Sequence, residues 1–131
     1  MDKISWEEYF TSLDSLNFEG VDLIVAIANG GIIPASFIQQ KLKVPMEIIR
    51  INYRDETHAP LYDDARMLED KPFPIRGQSI LLVDDVSRTG KTLAKAKDYL
   101  TGNRVKTFVI NGEADYSFFN QKECVLVPWR N

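Results

Sequence analysis

The chain has 131 residues, a size that suits one domain built on one core. Its 16 basic and 19 acidic residues give a formal charge of -3, which argues against a sequence-independent nucleic-acid binder, since such proteins present a basic surface. The single cysteine, Cys124, rules out an internal disulfide, no apolar run approaches membrane-spanning length, and MDKISWEEYF lacks the basic-then-apolar pattern of a leader, so a soluble cytoplasmic protein with no membrane partner is expected.

Ser5-Trp6-Glu7-Glu8 has the spacing of a capping box, and Trp6, Tyr9, Phe10 and Leu13 then share one helical face. Val21 to Ala28 is nearly all apolar, as a strand covered on both faces should be. Asn29-Gly30-Gly31 breaks it. Pro34 is expected to open a helix with Ala35, Ile38 and Leu42 inward, and Val44-Pro45 closes that unit. Met46 to Tyr53 reads as a second strand. Arg54 to Gly77 is polar, holds Pro60, Pro72 and Pro74, and has no clear period, so it reads either as a loop covering a site or as a surface excursion. Gln78 to Val83 is a third strand. Thr89 to Leu100 is a helix with Leu93, Ala96 and Leu100 inward, ended by Thr101-Gly102-Asn103. Val105 to Ile110 is a fourth strand. Asn111 to Lys122 is polar apart from Tyr116-Ser117-Phe118-Phe119, and Cys124 to Val127 is a short last strand.

No repeat, low-complexity tract or linker interrupts residues 1–131, so a single domain is expected. The alternation of strand and helix predicts an α/β fold with a mostly parallel central sheet flanked by helices. Ligands of such sheets sit at the carboxyl ends of the strands. Both glycine-containing breaks, Asn29 to Gly31 and Ser87 to Thr92, fall there.

The second break carries the chemistry. Ser87-Arg88-Thr89-Gly90-Lys91-Thr92 runs into the predicted start of a helix, where backbone N–H groups lack partners and the dipole favours an anion. Gly90 lets the backbone turn closely, and Ser87, Thr89 and Thr92 add hydroxyls, so the segment reads as a phosphate cradle. Asp84 and Asp85 stand just before it. Carboxylates repel a phosphate, but they accept hydrogen bonds from sugar hydroxyls or hold Mg²⁺ through water. A phosphorylated sugar satisfies both halves, with its phosphate in the turn and its hydroxyls on Asp84 and Asp85. A Walker A loop would need glycine where this chain has Asp85. A merely capped helix leaves the paired carboxylates without a purpose.

Leu82 to Leu93, an apolar strand, two acidic residues and then Thr-Gly-x-Thr, resembles the phosphoribosyl-pyrophosphate motif of type I phosphoribosyltransferases. Ala28 to Gly31 resembles that family's pyrophosphate loop. Val127-Pro128-Trp129 resembles the Pro-Trp ending of small bacterial and archaeal xanthine-guanine or hypoxanthine enzymes. The resemblance implies a hood formed by the terminal segments. It implies transfer of ribose 5-phosphate from phosphoribosyl pyrophosphate to a nucleobase, a purine by preference, in nucleotide salvage and with Mg²⁺ as cofactor. In that scheme Asp84 and Asp85 are catalytic and hold the metal through water. Ser87, Arg88, Thr89, Gly90, Lys91 and Thr92 bind the 5′-phosphate, and Asn29, Gly30 and Gly31 bind pyrophosphate. Lys106, Cys124 and Val125 meet the base, and residues 54–77 cover the site. A homodimer is among the assemblies the resemblance allows.

Three positions depart from the family pattern. Arg88 stands where purine enzymes carry an aspartate, Cys124 where they carry a stacking aromatic, and Asn29 where a basic residue precedes the two glycines. They leave two alternatives open: a non-purine, anionic acceptor suited to Arg88, and a non-catalytic regulatory module that binds phosphoribosyl pyrophosphate or a nucleotide. No histidine lies near Cys124 in sequence, so it is not read as a nucleophile. The one histidine, His58, reads as a loop surface residue.

Overall fold

The computed structural model describes residues 2–52, 66–67 and 73–130. The elements in chain order are β1 (Asp2–Lys3), α1 (Trp6–Ser15), β2 (Leu23–Ala28), α2 (Ile32–Leu42), β3 (Met46–Asn52), β4 (Arg66–Met67), β5 (Ser79–Val83), β6 (Val86–Ser87), α3 (Lys91–Tyr99), β7 (Arg104–Gly112), β8 (Tyr116–Phe119) and β9 (Val125–Leu126).

The central sheet is parallel through β3, β2, β5 and β7, and β8 adds a further parallel strand on β7. Among the described residues only β4, which pairs with the end of β3, runs antiparallel. The β2 strand explains the design. Leu23, Val25 and Ile27 face the cluster under α3, with Ile49, Ile80, Leu82, Leu93 and Ala96. Ile24 and Ala26 face the opposite cluster under α1 and α2, with Tyr9, Leu13, Ala35, Ile38 and Phe108. A strand buried on both faces is an unbroken apolar run, as the sequence shows.

The capping box forms as expected: Ser5 Oγ accepts from the Glu8 N–H at 3.0 Å, and Glu8 Oε1 accepts from the Ser5 N–H at 3.3 Å. The expected four-residue apolar face divides, however. Tyr9 and Leu13 are buried, whereas Trp6 and Phe10 remain 45% and 38% exposed. At the other end of α1, Lys41 Nζ donates to the Leu13 carbonyl at 3.1 Å, placing a cation at the negative helix end and locking α2 against α1. Helix α2 starts at Ile32, two residues before the expected opening at Pro34. Pro34 then lies in the first turn, where its missing N–H costs no helical bond.

Four short strands, β1, β4, β6 and β8, go beyond the expected set. The β1 and β9 strands pair in parallel, Asp2 with Val125 and Lys3 with Leu126, and bring the terminal segments together as the expected hood. The β6 strand continues the β5 side of β7, Val86 beside Asn111, after a break at Asp84-Asp85. The β8 strand pairs Tyr116 with Phe108, although only residues 113–115 separate it from β7. The Tyr53 end of the second strand, His58 and most of the expected covering loop at 54–77 lie outside the described residues.

Candidate active site

The carboxyl ends of β2, β5 and β7 meet around Asp84 and Asp85. The backbone here is fixed to β7 at two points: the Asp84 N–H donates to the Phe108 carbonyl at 3.0 Å, and the Ile110 N–H donates to the Asp85 carbonyl at 2.9 Å. The two carboxylates have unequal surroundings. Asp84 is buried at 8% exposure, and its Oδ1 accepts the Asp85 N–H at 2.8 Å. Burial, then the neighbouring charge and hydrogen bond of Asp85, push the Asp84 carboxyl up to about 8. Asp85 instead lines an open cavity, and its Oδ1 accepts the Val86 N–H at 2.8 Å.

The turn after β2 comes against Asp85. The peptide between Ala28 and Asn29 is cis. A Cβ at Gly30 would lie 2.5 Å from the Asp85 carboxyl carbon, so only glycine lets the turn and the carboxylate share that space. A Cβ at Gly31 would drive into the carbonyl oxygens of Val83 and Ile27. These contacts explain both glycines without reference to any ligand, and they also bring the turn to the acidic strand end.

Gly90 is the N-cap of α3, with φ 79, a left-handed value that suits glycine. No side chain caps this helix start, although the Lys91 N–H reaches Thr89 Oγ1 at 3.4 Å. The first turn thus keeps backbone donors for an anion. Ser87, Arg88, Thr89 and Gly90 line a cavity of about 510 Å³ with Leu93, Lys97, Thr107 and the 113–115 link.

A second cavity, about 340 Å³, is lined by Asn29, Gly30, Asp85 and Val86 on one side and by Cys124, Val125, Leu126, Val127, Trp129 and Arg130 on the other. Its far wall is held three ways. The β9 strand pairs with β1. Trp129 packs edge-on and tilted within an aromatic group, its ring 5.1 Å from Tyr9 and 6.1 Å from Phe37. Asn111, buried at the end of β7, donates through Nδ2 to the Glu123 carbonyl at 3.0 Å and accepts the Gln121 N–H at 3.0 Å. Arg88 closes the edge between the cavities, with Nη1 on the Lys122 carbonyl at 3.3 Å and Nη2 on Cys124 Sγ at 3.4 Å. Arg130 reaches across to Asp85 at 4.0 Å.

Asn29, Gly30, Asp85, Cys124 and Val125 therefore meet in one cavity, and Ser87 to Gly90 line the adjoining one. Lys106 does not join them. It pairs with Leu81 near the start of β7 and lines a small cavity with Glu19, Arg104 and Tyr116 at the opposite end of the sheet. The family resemblance placed Lys106, at the start of the fourth strand, against the base, but β7 runs nine residues and carries the chain well past Lys106 before reaching the site. The polar residue at the strand's carboxyl end is Asn111. Asn111-Gly112 follows an apolar strand just as Asn29-Gly30 does, a signal available in the sequence.

Among the described residues no group of three or more His, Cys, Asp and Glu side chains is arranged to hold a metal ion, and no helix is long and apolar enough to cross a membrane. Asp85 is the carboxylate that faces the cavity. It suits Mg²⁺ held mainly by water and ligand oxygens rather than by a protein cage.

The fold is of the α/β class, with the carboxyl ends of its parallel strands gathered at Asp84 and Asp85. Residues 3–111 match the phosphoribosyl transferase domain model, and the chain belongs to that family. It is 35% identical over 96 residues to orotate phosphoribosyltransferase of Sulfurisphaera tokodaii, covering 72% of this chain and 45% of that protein. It is 36% identical over 92 residues to the bifunctional protein PyrR of Streptococcus uberis, covering 68% of this chain and 49% of that one. It shares its fold with a purine phosphoribosyltransferase from Pyrococcus horikoshii, with TM-score 0.77, 22% identity and coverage of 100% of this chain and 95% of that one. The chain spans half or less of the length of the first curated relatives it matches. The wall from Cys124 to Arg130 lies beyond the matched family segment.

Proposed function

We propose that this chain transfers ribose 5-phosphate from phosphoribosyl pyrophosphate to a ring nitrogen of a nucleobase, with a purine as the first acceptor. The observation that carries the reading is that the Asn29 to Gly31 turn comes against the Asp84-Asp85 strand end, with the Gly90-capped helix start five residues further along the chain. One sugar phosphate then spans all three. Backbone N–H groups around Gly90, with Ser87, Thr89 and Thr92, hold the 5′-phosphate. Asp85 accepts from the ribose hydroxyls, and Asp84 fixes Asp85 through its N–H. Arg88 and Lys91 add positive charge to the turn's sequence, although in the ligand-free fold the Arg88 guanidinium lies on the Lys122 carbonyl and Cys124 Sγ. Asn29 to Gly31 hold the pyrophosphate, which leaves with the electron pair of its bond to C1 as the acceptor nitrogen bonds to C1. The acceptor nitrogen's proton passes to solvent.

Positive charge grows on the ribose during this exchange, and a fixed Asp85 carboxylate favours it without reorganisation. Mg²⁺, held by Asp85 through water, would offset the charge of the leaving group. The acceptor lies against Val125 and Trp129. The β9 strand pairs with β1 on one edge, and its other edge offers backbone groups to a base.

The Arg88 guanidinium at the Cys124 edge favours a second acceptor class, an anionic pyrimidine, and similarity to orotate enzymes points the same way. One experiment separates these readings: phosphoribosyl pyrophosphate and Mg²⁺ with a panel of purine and pyrimidine bases, followed by pyrophosphate release. Release with a purine supports the first reading. Release only with an acidic pyrimidine supports the second. Donor binding without release for any base means a regulatory binding module. Full turnover in the Asp84→Asn/Asp85→Asn double variant sinks the ribose role.

A further inference from the structure

The turn proposed to receive pyrophosphate brings no charge of its own. Asn29 is neutral, and Asp85 stands against Gly30 with a carboxylate. A polyanion entering there needs compensation from elsewhere in the fold, because opposed charges in a partly desolvated cleft are what make such binding favourable. The neighbouring strand provides it. The parallel register places Arg50 of β3 beside Ala28, the last residue before the turn. Ile49, buried at 2% exposure, anchors the strand, while Arg50 is exposed. Arg50 Nη1 donates to Asn29 Oδ1 at 3.4 Å, so the neutral side chain at the turn steers a guanidinium toward it.

We infer that Arg50 is a pyrophosphate-binding residue: it supplies from β3 the positive charge that residue 29 lacks. This rests on the reading given under Proposed function. Arginine suits the task better than lysine, because its planar fork of N–H donors can engage Asn29 and a phosphate oxygen together. Arg130, on the opposite wall, faces Asp85 instead and so lies toward the ribose end.

The test compares two ligands on the same protein. Calorimetry measures binding of phosphoribosyl pyrophosphate with Mg²⁺ and of ribose 5-phosphate, which lacks the pyrophosphate, to the wild-type chain, Arg50→Gln and Arg50→Lys. Arg50→Gln is expected to weaken phosphoribosyl pyrophosphate by about tenfold to a hundredfold while ribose 5-phosphate shifts by less than about twofold. Arg50→Lys should recover part of the loss, as a point charge without the fork. Inorganic pyrophosphate, used as a competitor, should lose affinity by the same factor in Arg50→Gln. Equal losses for both ligands, or no loss for phosphoribosyl pyrophosphate, overturn the assignment of Arg50. Failure of the wild-type chain to bind ribose 5-phosphate overturns the sugar-phosphate reading itself. The ratio of the two affinities within one variant is insensitive to partial unfolding.

Discussion

The buried carboxyl of Asp84 makes the stability of the ligand-free protein depend on pH in a direction opposite to that of most carboxylates. Its folded value is pushed up to about 8, by burial first and by Asp85 second, from an ordinary carboxylate value of 3.8. Between those values the native state holds a proton that the unfolded chain has released. Stability from this group is therefore complete below about pH 4, falls as pH rises, and is gone above about pH 8. The slope is at most about 1.4 kcal/mol per pH unit, so pH 5 to pH 8 sets a ceiling of about 4 kcal/mol. Local relaxation and water entry reduce this to roughly 1–3 kcal/mol. Asp84→Asn removes the titration while keeping an oxygen that can accept the Asp85 N–H. Urea unfolding at pH 5, 6, 7 and 8, with chelator and without ligand, should show wild type losing stability relative to Asp84→Asn, and the variant should be the more stable at pH 8. Parallel pH profiles for the two proteins would refute the reasoning.

Gly31→Ala should cost about 3 kcal/mol or more in urea unfolding, because its Cβ meets the backbone carbonyls of Val83 and Ile27, which cannot step aside without breaking the sheet. Gly30→Ala meets the Asp85 side chain instead. It should spare stability to within about 2 kcal/mol but weaken ribose 5-phosphate binding at least about tenfold in calorimetry, as Asp85 swings away. Tyr9 is fully buried in the aromatic group, and among the described residues its hydroxyl has no hydrogen-bond partner. Tyr9→Phe should therefore be neutral or stabilising by up to about 1 kcal/mol in a thermal or urea melt, and a loss above that would mean the hydroxyl is satisfied in solution.

The parts legible in the sequence were those set by local pattern. The unbroken apolar runs marked the central strands, Ser5 and Glu8 marked the start of α1, and the carboxylate pair beside a glycine turn marked the site. What escaped depended on depth and register. Lys106 and Asn111 both belong to β7, and only the length of that strand decides which one reaches the site. The β8 strand reads in sequence as an apolar patch in a polar segment, and its pairing leaves no local signal, since parallel neighbours ordinarily need a crossover of a dozen or so residues. Arg50 left no local signal, since its place beside the turn arises from the pairing of β3 with β2. The unequal roles of Asp84 and Asp85 come from which side of the strand meets solvent, and two identical letters cannot show it.

The link at residues 113–115 has a mechanical meaning. Register sets Tyr116 beside Phe108, so the chain must travel back the length of four residues, about 13 Å, while stepping sideways to the next strand. Four residue steps reach only about 14 Å when fully stretched. The link is short for that return, and the chain bends at each of residues 113–115 to make it. Gly112, at its head, lies against Ser87, and Asp115, at its tail, clasps Thr107 through the Thr107 N–H at 2.8 Å. Ser87 at one end and Thr107 at the other both line the larger cavity, so one short piece of backbone ties two parts of its rim together.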